Sequence, residues 1–597
     1  MPPFVKRHLR RSQAITTFGP GAIVDLRDES VMMGGIDFWP ADQPDTVHEP
    51  NLERVLQVES FRTPTTIEHS QTGKDLPYAI FPRWLVCPKC HRLAPFEFFA
   101  GPLRAPDAVI RCPDCRKRVY PARLIVACRH GHIDDFPWIG WVKHGQAPCG
   151  CDRPALELNS AGRTASLGDL IVRCRTCGGH RSLSGATEDR NLAFIHCSGN
   201  RPWLMDSQTC SEAVVPMQRG ASNVYFPVSA SALSIPPWSR AAQAILNPYW
   251  SVLRHIPELA LAPTIRDMHL PGRLGLTEQE LLDAIRERRA VEAGTAAEES
   301  ITERELRFRE VEALRRPQEK INAGDDFRTR NAAIHPLLTP YFSKIVLVDR
   351  LREVRALLGF SRIQPPDPDP EARQGSGMAP LSVNRKDWLP AIEVFGEGIF
   401  LEFSREALDL WIRQNRTVLD GRADLLNTGY ATMCARRGWK ASRRISPEFL
   451  LVHSFAHVLI RQLSLESGYS SSALRERLFV FDESRDGPGR QAAALLIYTS
   501  TPDSEGSLGG LVRQGNPDRL ALTIRDAVDQ AAWCSSDPLC IESDGQGVDA
   551  LNLAACHACL LLAETCCEEF NRLLDRAMLT GTLANPGCGF FSPLLEA

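Results

Sequence analysis

Nineteen cysteines, most of them in paired spacings, constrain this 597-residue chain more than any other feature. In an oxidising compartment they would read as disulfides, and in a reducing one as metal ligands. The opening segment, Met1 to Gly21, has a basic stretch but no apolar run after it of the kind a secretory signal needs. The longest apolar segment, near Leu553 to Ala563, is broken by Cys556-His557 and is too short to span a bilayer. The expectation is a soluble, cytoplasmic chain with no membrane partner, whose cysteines hold metal. With 43% hydrophobic and 24% charged residues it is not disordered, and its length suggests about three to five domains. A formal net charge of −3 argues against a globally basic, histone-like protein but leaves room for a local nucleic-acid patch.

The spacing groups the cysteines into four sets. Cys87-Pro-Lys-Cys90 and Cys112-Pro-Asp-Cys115 are two C-x2-C knuckles that complete a tetrahedral four-thiolate shell, which suits zinc. Cys174-Arg-Thr-Cys177 with Cys197 and Cys210 supplies a second. Cys128, Cys149 and Cys151 lie between them in sequence and need a fourth ligand, offered by His130 or His132, with His132 preferred because it precedes Ile-Asp-Asp-Phe-Pro-Trp. Near the end, Cys556-His-Ala-Cys559 joins Cys540 and Cys567. Adjacent side chains diverge, so Cys566 is read as spare, and Cys434, Cys534 and Cys588 are left free as well. Up to four closed, structural Zn2+ sites follow, none of them needing an open coordination position.

Catalytic motifs are incomplete. The nearest approach to a phosphate loop, Gln71-Thr-Gly-Lys-Asp75, lacks the first glycine and has Asp where the magnesium-binding hydroxyl belongs. Asp482-Glu-Ser484 reads as a solvated strand end, and Leu508-Gly-Gly-Leu511 as a turn. His453-Ser-Phe-Ala-His457 puts two histidines on one helix face, but Ser454 stands where a zinc protease needs its glutamate. Their apolar neighbours favour hydrogen-bonded core histidines; a metal-dependent hydrolase using His453 and His457 is the alternative. A basic run, with Arg436, Arg437, Lys440, Arg443 and Arg444 around Trp439, could neutralise phosphates and stack a base. Lys6 to Arg11 and Arg116 to Arg118 are smaller basic spots. A stand-alone zinc-ribbon nucleic-acid binder is therefore a third reading.

The chain divides into an irregular region (1–85), a zinc-knuckle region (86–215), a helical region with a Pro/Gly-rich loop (216–385) and an α+β region ending in a four-Cys module (386–597). The fold class is multidomain α+β. Helical periodicity over Leu274 to Gln318 suggests a solvated hairpin. Ser446 with Pro447 caps a long helix to Leu465, and Gly396 to Phe403, Arg477 to Asp482 and Ala493 to Thr499 read as strands. Asp549 to Leu562 and Cys567 to Leu579 read as helices.

Three segments carry a resemblance. Ser12-Gln-Ala-Ile-Thr-Thr-Phe-Gly-Pro-Gly-Ala-Ile-Val-Asp25, Gly131-His-Ile-Asp-Asp-Phe-Pro-Trp138 and the stretch from His453 to Arg576 together resemble the DrmB family of the DISARM anti-phage system. The third stretch, with Tyr498-Thr-Ser, Gly509-Gly-Leu511, Cys556-His-Ala-Cys559 and Asn571-Arg-Leu-Leu-Asp-Arg576, is similar to the zinc-binding domain that ends MrfA-like DNA-repair helicases. It spans roughly the last quarter of the chain, whereas the middle, about 216–385, carries no part of the resemblance. Having Cys566 beside Cys567 departs from the family pattern. The resemblance implies a non-catalytic, zinc-binding companion of a DrmA-like helicase, the pair engaging phage DNA in bacterial antiviral defence.

Overall fold

A computed structural model describes residues 10–26, 29–39, 45–64, 76–100, 109–145, 147–160, 162, 166–236, 240–274, 276–292, 301–316, 326–367, 377–499 and 509–595. Lys6 to Leu9, Gln71 to Asp75, much of the Pro/Gly-rich loop after Gln364, and Leu508 lie outside the described residues. The class is mixed α+β, with cysteine clusters set in small sheets and turns around a large central sheet.

Eight strands form that sheet: β1 (Thr46–Val47), β2 (Ser60–Arg62), β3 (Phe226–Leu233), β4 (Phe327–Asn331), β5 (Phe342–Ser361), β6 (Trp388–Phe403), β7 (Leu474–Phe481) and β8 (Ala492–Thr499). Five run in the order β3-β5-β6-β8-β7. The long hairpin partners β5 and β6 pair antiparallel, Phe342 opposite Phe403 and Ala356 opposite Ala391, and form the spine. Along one edge of β5, β4 pairs beside Val346 to Leu351 and β3 beside Glu353 to Ser361. β2 adds parallel to the start of β6, so residues near the N-terminus join a sheet made mostly by the second half of the chain.

Five of the helices are α1 (Glu278–Glu292), α2 (Arg405–Arg437), α3 (Pro447–Ser467), α4 (Gly510–Gln514) and α5 (Pro517–Ala532). Side chains alternate across a strand, and both faces of the spine are covered. Leu347, Ile399, Leu401, Leu495 and Ile497 face Leu451, Phe455 and Leu459 of α3. Their neighbours Val346, Val348, Phe400, Leu496 and Tyr498 face Val311 and Leu314 of the helix Glu303–Arg315. This explains why β8 is buried at every residue and why α3 is apolar nearly all round. The Ser446 hydroxyl accepts from Phe449 N, and Pro447 takes the first helical position.

Two helical expectations change. Among its described residues the 274–318 stretch makes two helices, but Glu303–Arg315 buries Leu306, Glu310, Val311 and Leu314 instead of standing in solvent. From Asp549 to Leu579 the chain is mostly turns, with a 3-10 turn at Val548–Ala550 and α-helix only at Ala577–Thr580. Asp549, Ala550, Phe570, Asn571 and Leu573 all take positive φ. Asn571 Nδ2 donates to Leu562 O and its Oδ1 accepts from Leu562 N, at 2.8 and 3.0 Å, so a side chain satisfies backbone groups that a helix would pair internally.

Candidate metal centres

Chelation of a four-coordinate ion sets a geometric test. Sulfurs about 2.3 Å from a tetrahedral zinc stand roughly 3.8 Å from one another.

Cys87, Cys90, Cys112 and Cys115 converge at the end of the strand Trp84–Val86, with Cys90 Sγ 3.7 Å from Cys112 Sγ. The two knuckles repeat one turn. His91 N donates to Cys87 O and Arg116 N to Cys112 O, each at 2.9 Å, and both residues adopt φ near +58°. Burial works to raise the Cys87 thiol, but the backbone N–H groups of Cys90 and Lys89 outweigh it and leave it below its ordinary value.

The next two centres interleave. Cys149 and Cys151 meet Cys174 and Cys177, with sulfur separations of 3.4 Å (Cys149–Cys177) and 3.9 Å (Cys151–Cys174). Burial opposes ionisation of Cys174, yet N–H groups of Cys177 and Thr176 and the neighbouring thiols bring it down to about 6. Cys128 and His132 meet Cys197 and Cys210 instead. The sequence grouping, which joined Cys149 and Cys151 to Cys128 and put Cys197 and Cys210 with Cys174, differs from this arrangement. Strand register is the reason. Leu156 lies opposite Cys174, which carries that knuckle to the Cys149 loop, and Ala127 lies opposite Val215, which carries the 197–210 loop to Cys128. His132 presents Nδ1 to Cys128 Sγ (3.3 Å) and Cys197 Sγ (3.5 Å), and its Nε2 lies 2.6 Å from Gln208 Nε2. His130 is exposed, its Nδ1 3.8 Å from Cys210. Gly131, at φ +81°, makes the turn between them, where a Cβ would strike Ala379.

The C-terminal cluster joins Cys534, Cys540, Cys556 and Cys559, with separations of 3.5 Å (Cys534–Cys556) and 3.8 Å (Cys540–Cys559). Cys534, read as free, takes the place given to Cys567. It lies just past α5, where Asp537 accepts from its backbone N–H at 2.8 Å. The signal was present in the sequence, since Cys534 and Cys540 form a second pair upstream of the Cys556-Cys559 knuckle. Cys556 is brought down to about 7; burial raises it, but the Ala558 N–H and the Cys534 thiol prevail. Cys566 is buried with its sulfur 2.9 Å from Ser471 O. Cys567 lies instead beside His453 and His457, in the core beneath α3.

The basic run is only partly open. Arg436 and Arg437 both pair with Asp549, and Arg443 pairs with Glu569 at 2.6 Å while lying over the Phe449 ring. Trp439 packs on the main core beside Arg437. Arg436, Lys440 and Arg444 are exposed. Asp482 caps a short turn through Ser484 N, and the carboxylate of Glu397 accepts from Gly509, Leu511 and Val512 N, so the Gly-Gly turn already holds an anion of the protein's own. Among the described residues no helix is long and apolar enough to cross a membrane.

Fold and clusters together define a mixed α+β protein in which cysteine clusters able to hold metal ions are arranged around a sheet-and-helix core. The family model described as a domain of unknown function (DUF8724) matches residues 10–226, and that of the MrfA Zn-binding domain matches residues 455–560, which contain the whole C-terminal cysteine cluster. The chain is 35% identical over 592 residues to the DISARM protein DrmB of Bacillus paralicheniformis, covering 96% of this chain and 100% of that protein. The chain belongs to the DrmB family of DISARM proteins.

Proposed function

We propose that this chain is a non-catalytic, zinc-binding partner of a DrmA-like helicase, and that the complex engages phage DNA in the cytoplasm of a bacterial host. The observation that carries the reading is the end-to-end match to a DISARM protein, which makes the chain a component of that defence system. Zinc at the four cysteine-rich centres is supported by sulfur separations of 3.4–3.9 Å in the three all-cysteine sets, close to the edge of a tetrahedral zinc–thiolate shell, and by Sγ–Nδ1 distances of 3.3 and 3.5 Å at His132. In this role the metals cross-link turn-rich modules that also pack on apolar clusters of their own, such as that around Trp138, Trp141 and Leu156, and the modules form a composite surface for the helicase. The domain organisation proposed with it keeps the zinc-knuckle region at 86–215 and the last module within 386–597.

For DNA, the exposed Arg436, Lys440 and Arg444 are the proposed phosphate ligands, while Arg437, Trp439 and Arg443 shape the segment that presents them. A native pull-down of the tagged chain should bring a helicase in stoichiometric amount; recovery of the chain alone would remove the companion role. With that complex, alanine at Arg436, Lys440 and Arg444 should weaken DNA binding. Removing one phosphate-neutralising cation should flatten the dependence of log K on log salt by about 0.9. An unchanged affinity and slope would refute the DNA assignment. The hydrolase alternative would need an open coordination position, whereas His453 and His457 are fully buried.

A further inference from the structure

Beneath α3 lies a fifth cluster, distinct from the four cysteine-rich centres. His453 and His457 sit one turn apart on the helix, Glu476 projects from β7, and Cys567 comes from the turn-rich segment after the last knuckle. Their donor atoms all lie within 4.8 Å of one another, and no member is more than 4% exposed. His453 and Cys567 fall outside the residues that match the MrfA Zn-binding domain, whereas the Cys534–Cys559 cluster falls wholly within them.

Hydrogen bonding around the cluster points every ligand atom inward. His453 Nδ1 lies 3.1 Å from Leu573 O, and His457 Nδ1 lies 2.9 Å from Leu560 O. A carbonyl oxygen only accepts, so each Nδ1 carries a proton, and in a neutral ring Nε2 is then a bare lone pair. Both Nε2 atoms face Glu476, at 3.3 Å for His453 and 3.6 Å for His457. Cys567 Sγ, 3.3 Å from His453 Nε2, accepts the backbone N–H groups of Glu569 and Asn571, both at 3.3 Å, as a thiolate does in a knuckle. Glu568 N donates to Glu476 Oε1 at 3.1 Å. His457 Nε2 and Glu476 Oε2 have no hydrogen-bond partner among the described residues.

Four potential electron-pair donors converge in a dry core, and one divalent cation among them satisfies all four at once. Protonating both rings instead would bury two cations against one carboxylate. A divalent ion with one carboxylate, one thiolate and two neutral imidazoles carries no net charge, which an apolar surrounding tolerates. Zinc–nitrogen bonds of about 2.0–2.1 Å place tetrahedral ligand atoms roughly 3.4 Å apart, which the separations of 3.3 and 3.6 Å match. Carbonyl acceptors behind ligating imidazoles are the usual way such rings are oriented.

We propose that His453, His457, Glu476 and Cys567 form a closed, structural binding site for a divalent transition metal, zinc by its donor set, which clamps α3, β7 and the C-terminal turn segment together. The test is metal content of the full-length chain by inductively coupled plasma mass spectrometry. Folding of each variant is checked by circular dichroism. Cys567→Ala and Glu476→Gln should each hold one equivalent less zinc than wild type. Cys534→Ala should also lose one, from a different centre, and the Cys534→Ala/Cys567→Ala pair should lose two. A folded Cys567→Ala protein with wild-type zinc content would overturn the proposal. Should the core variants fail to fold, anomalous difference density at the zinc edge in wild-type crystals decides the matter. A peak between the four donors supports the site, and none there overturns it.

Discussion

Arg362 offers the most exposing test of how the core and the metal centres depend on each other. It lies just past β5, is 2% exposed, and among the described residues no carboxylate pairs with it. Its three nitrogens donate to three backbone carbonyls from distant segments: Nε to Gly131 O at 2.9 Å, Nη1 to Val224 O at 2.7 Å and Nη2 to Gly21 O at 2.7 Å. Its plane lies near the rings of Phe360 and Trp203. Burial pushes the guanidinium down to about 9. Replacing it by Met keeps much of the volume but leaves three buried carbonyls bare, at roughly 1–3 kcal/mol each. Removing a buried charge returns several kcal/mol of desolvation. The expected net destabilisation is about 2–4 kcal/mol. Gly131 precedes His132, so the substitution also loosens a proposed metal ligand, and removing the groups that orient a ligand typically costs about 10–100-fold in metal affinity. Denaturant unfolding followed by tryptophan fluorescence reads the first effect, and zinc transfer to a competing chelator reads the second. Arg362→Lys should behave almost as badly, because one ammonium cannot reach three diverging acceptors. A wild-type midpoint and wild-type zinc transfer in Arg362→Met would refute the argument.

Cys534→Ala should cost one zinc equivalent, whereas Cys566→Ala should cost none; burial pushes the Cys566 thiol up to about 11, so it should also resist alkylation in the native chain, as mass mapping can check. Glu310→Ala should destabilise by about 3–5 kcal/mol in chemical unfolding, because it removes the nearest carboxylate of the fully buried Arg477, whose Nε it binds at 2.7 Å. Replacing both by apolar residues should recover most of that stability. Glu353 is fully buried; burial raises its carboxyl, but Arg355, Arg475 and Arg477 outweigh that and hold it well below the ordinary carboxylate range. Its folded value lies below its unfolded one, so its contribution is present above the ordinary glutamate value. It is lost as pH falls below that value towards the folded one. Glu353→Gln should flatten the acid limb of a stability–pH profile measured below about pH 4.5; an unchanged limb would remove the assignment.

Much of the local structure could be read from residue patterns. The Ser446-Pro447 start of α3 was legible because a cap and a fixed φ act within a few residues. The knuckles at Cys87-Cys90 and Cys112-Cys115 were legible for the same reason, since a C-x2-C turn brings its own sulfurs together. The 549–579 stretch misled, because its apolar spacing mimics a helix while long-range bonds such as those of Asn571 to Leu562 hold it in turns.

The sequence by itself determined most of the cysteines that converge into clusters, that the chain mixes helices with strands, and that it resembles a defence family. Only the tertiary structure decided which ligands share a centre. Cys128 and Cys149 are consecutive cysteines in the sequence, yet antiparallel register sends one to Cys197 and the other to Cys177. Cys567 leaves the nearby cysteines for two histidines more than a hundred residues upstream, on a helix that packs over the same sheet. Spacing reports only pairings closed by a local turn, and a ligand set closed through a sheet depends on strand pairing that no short segment encodes.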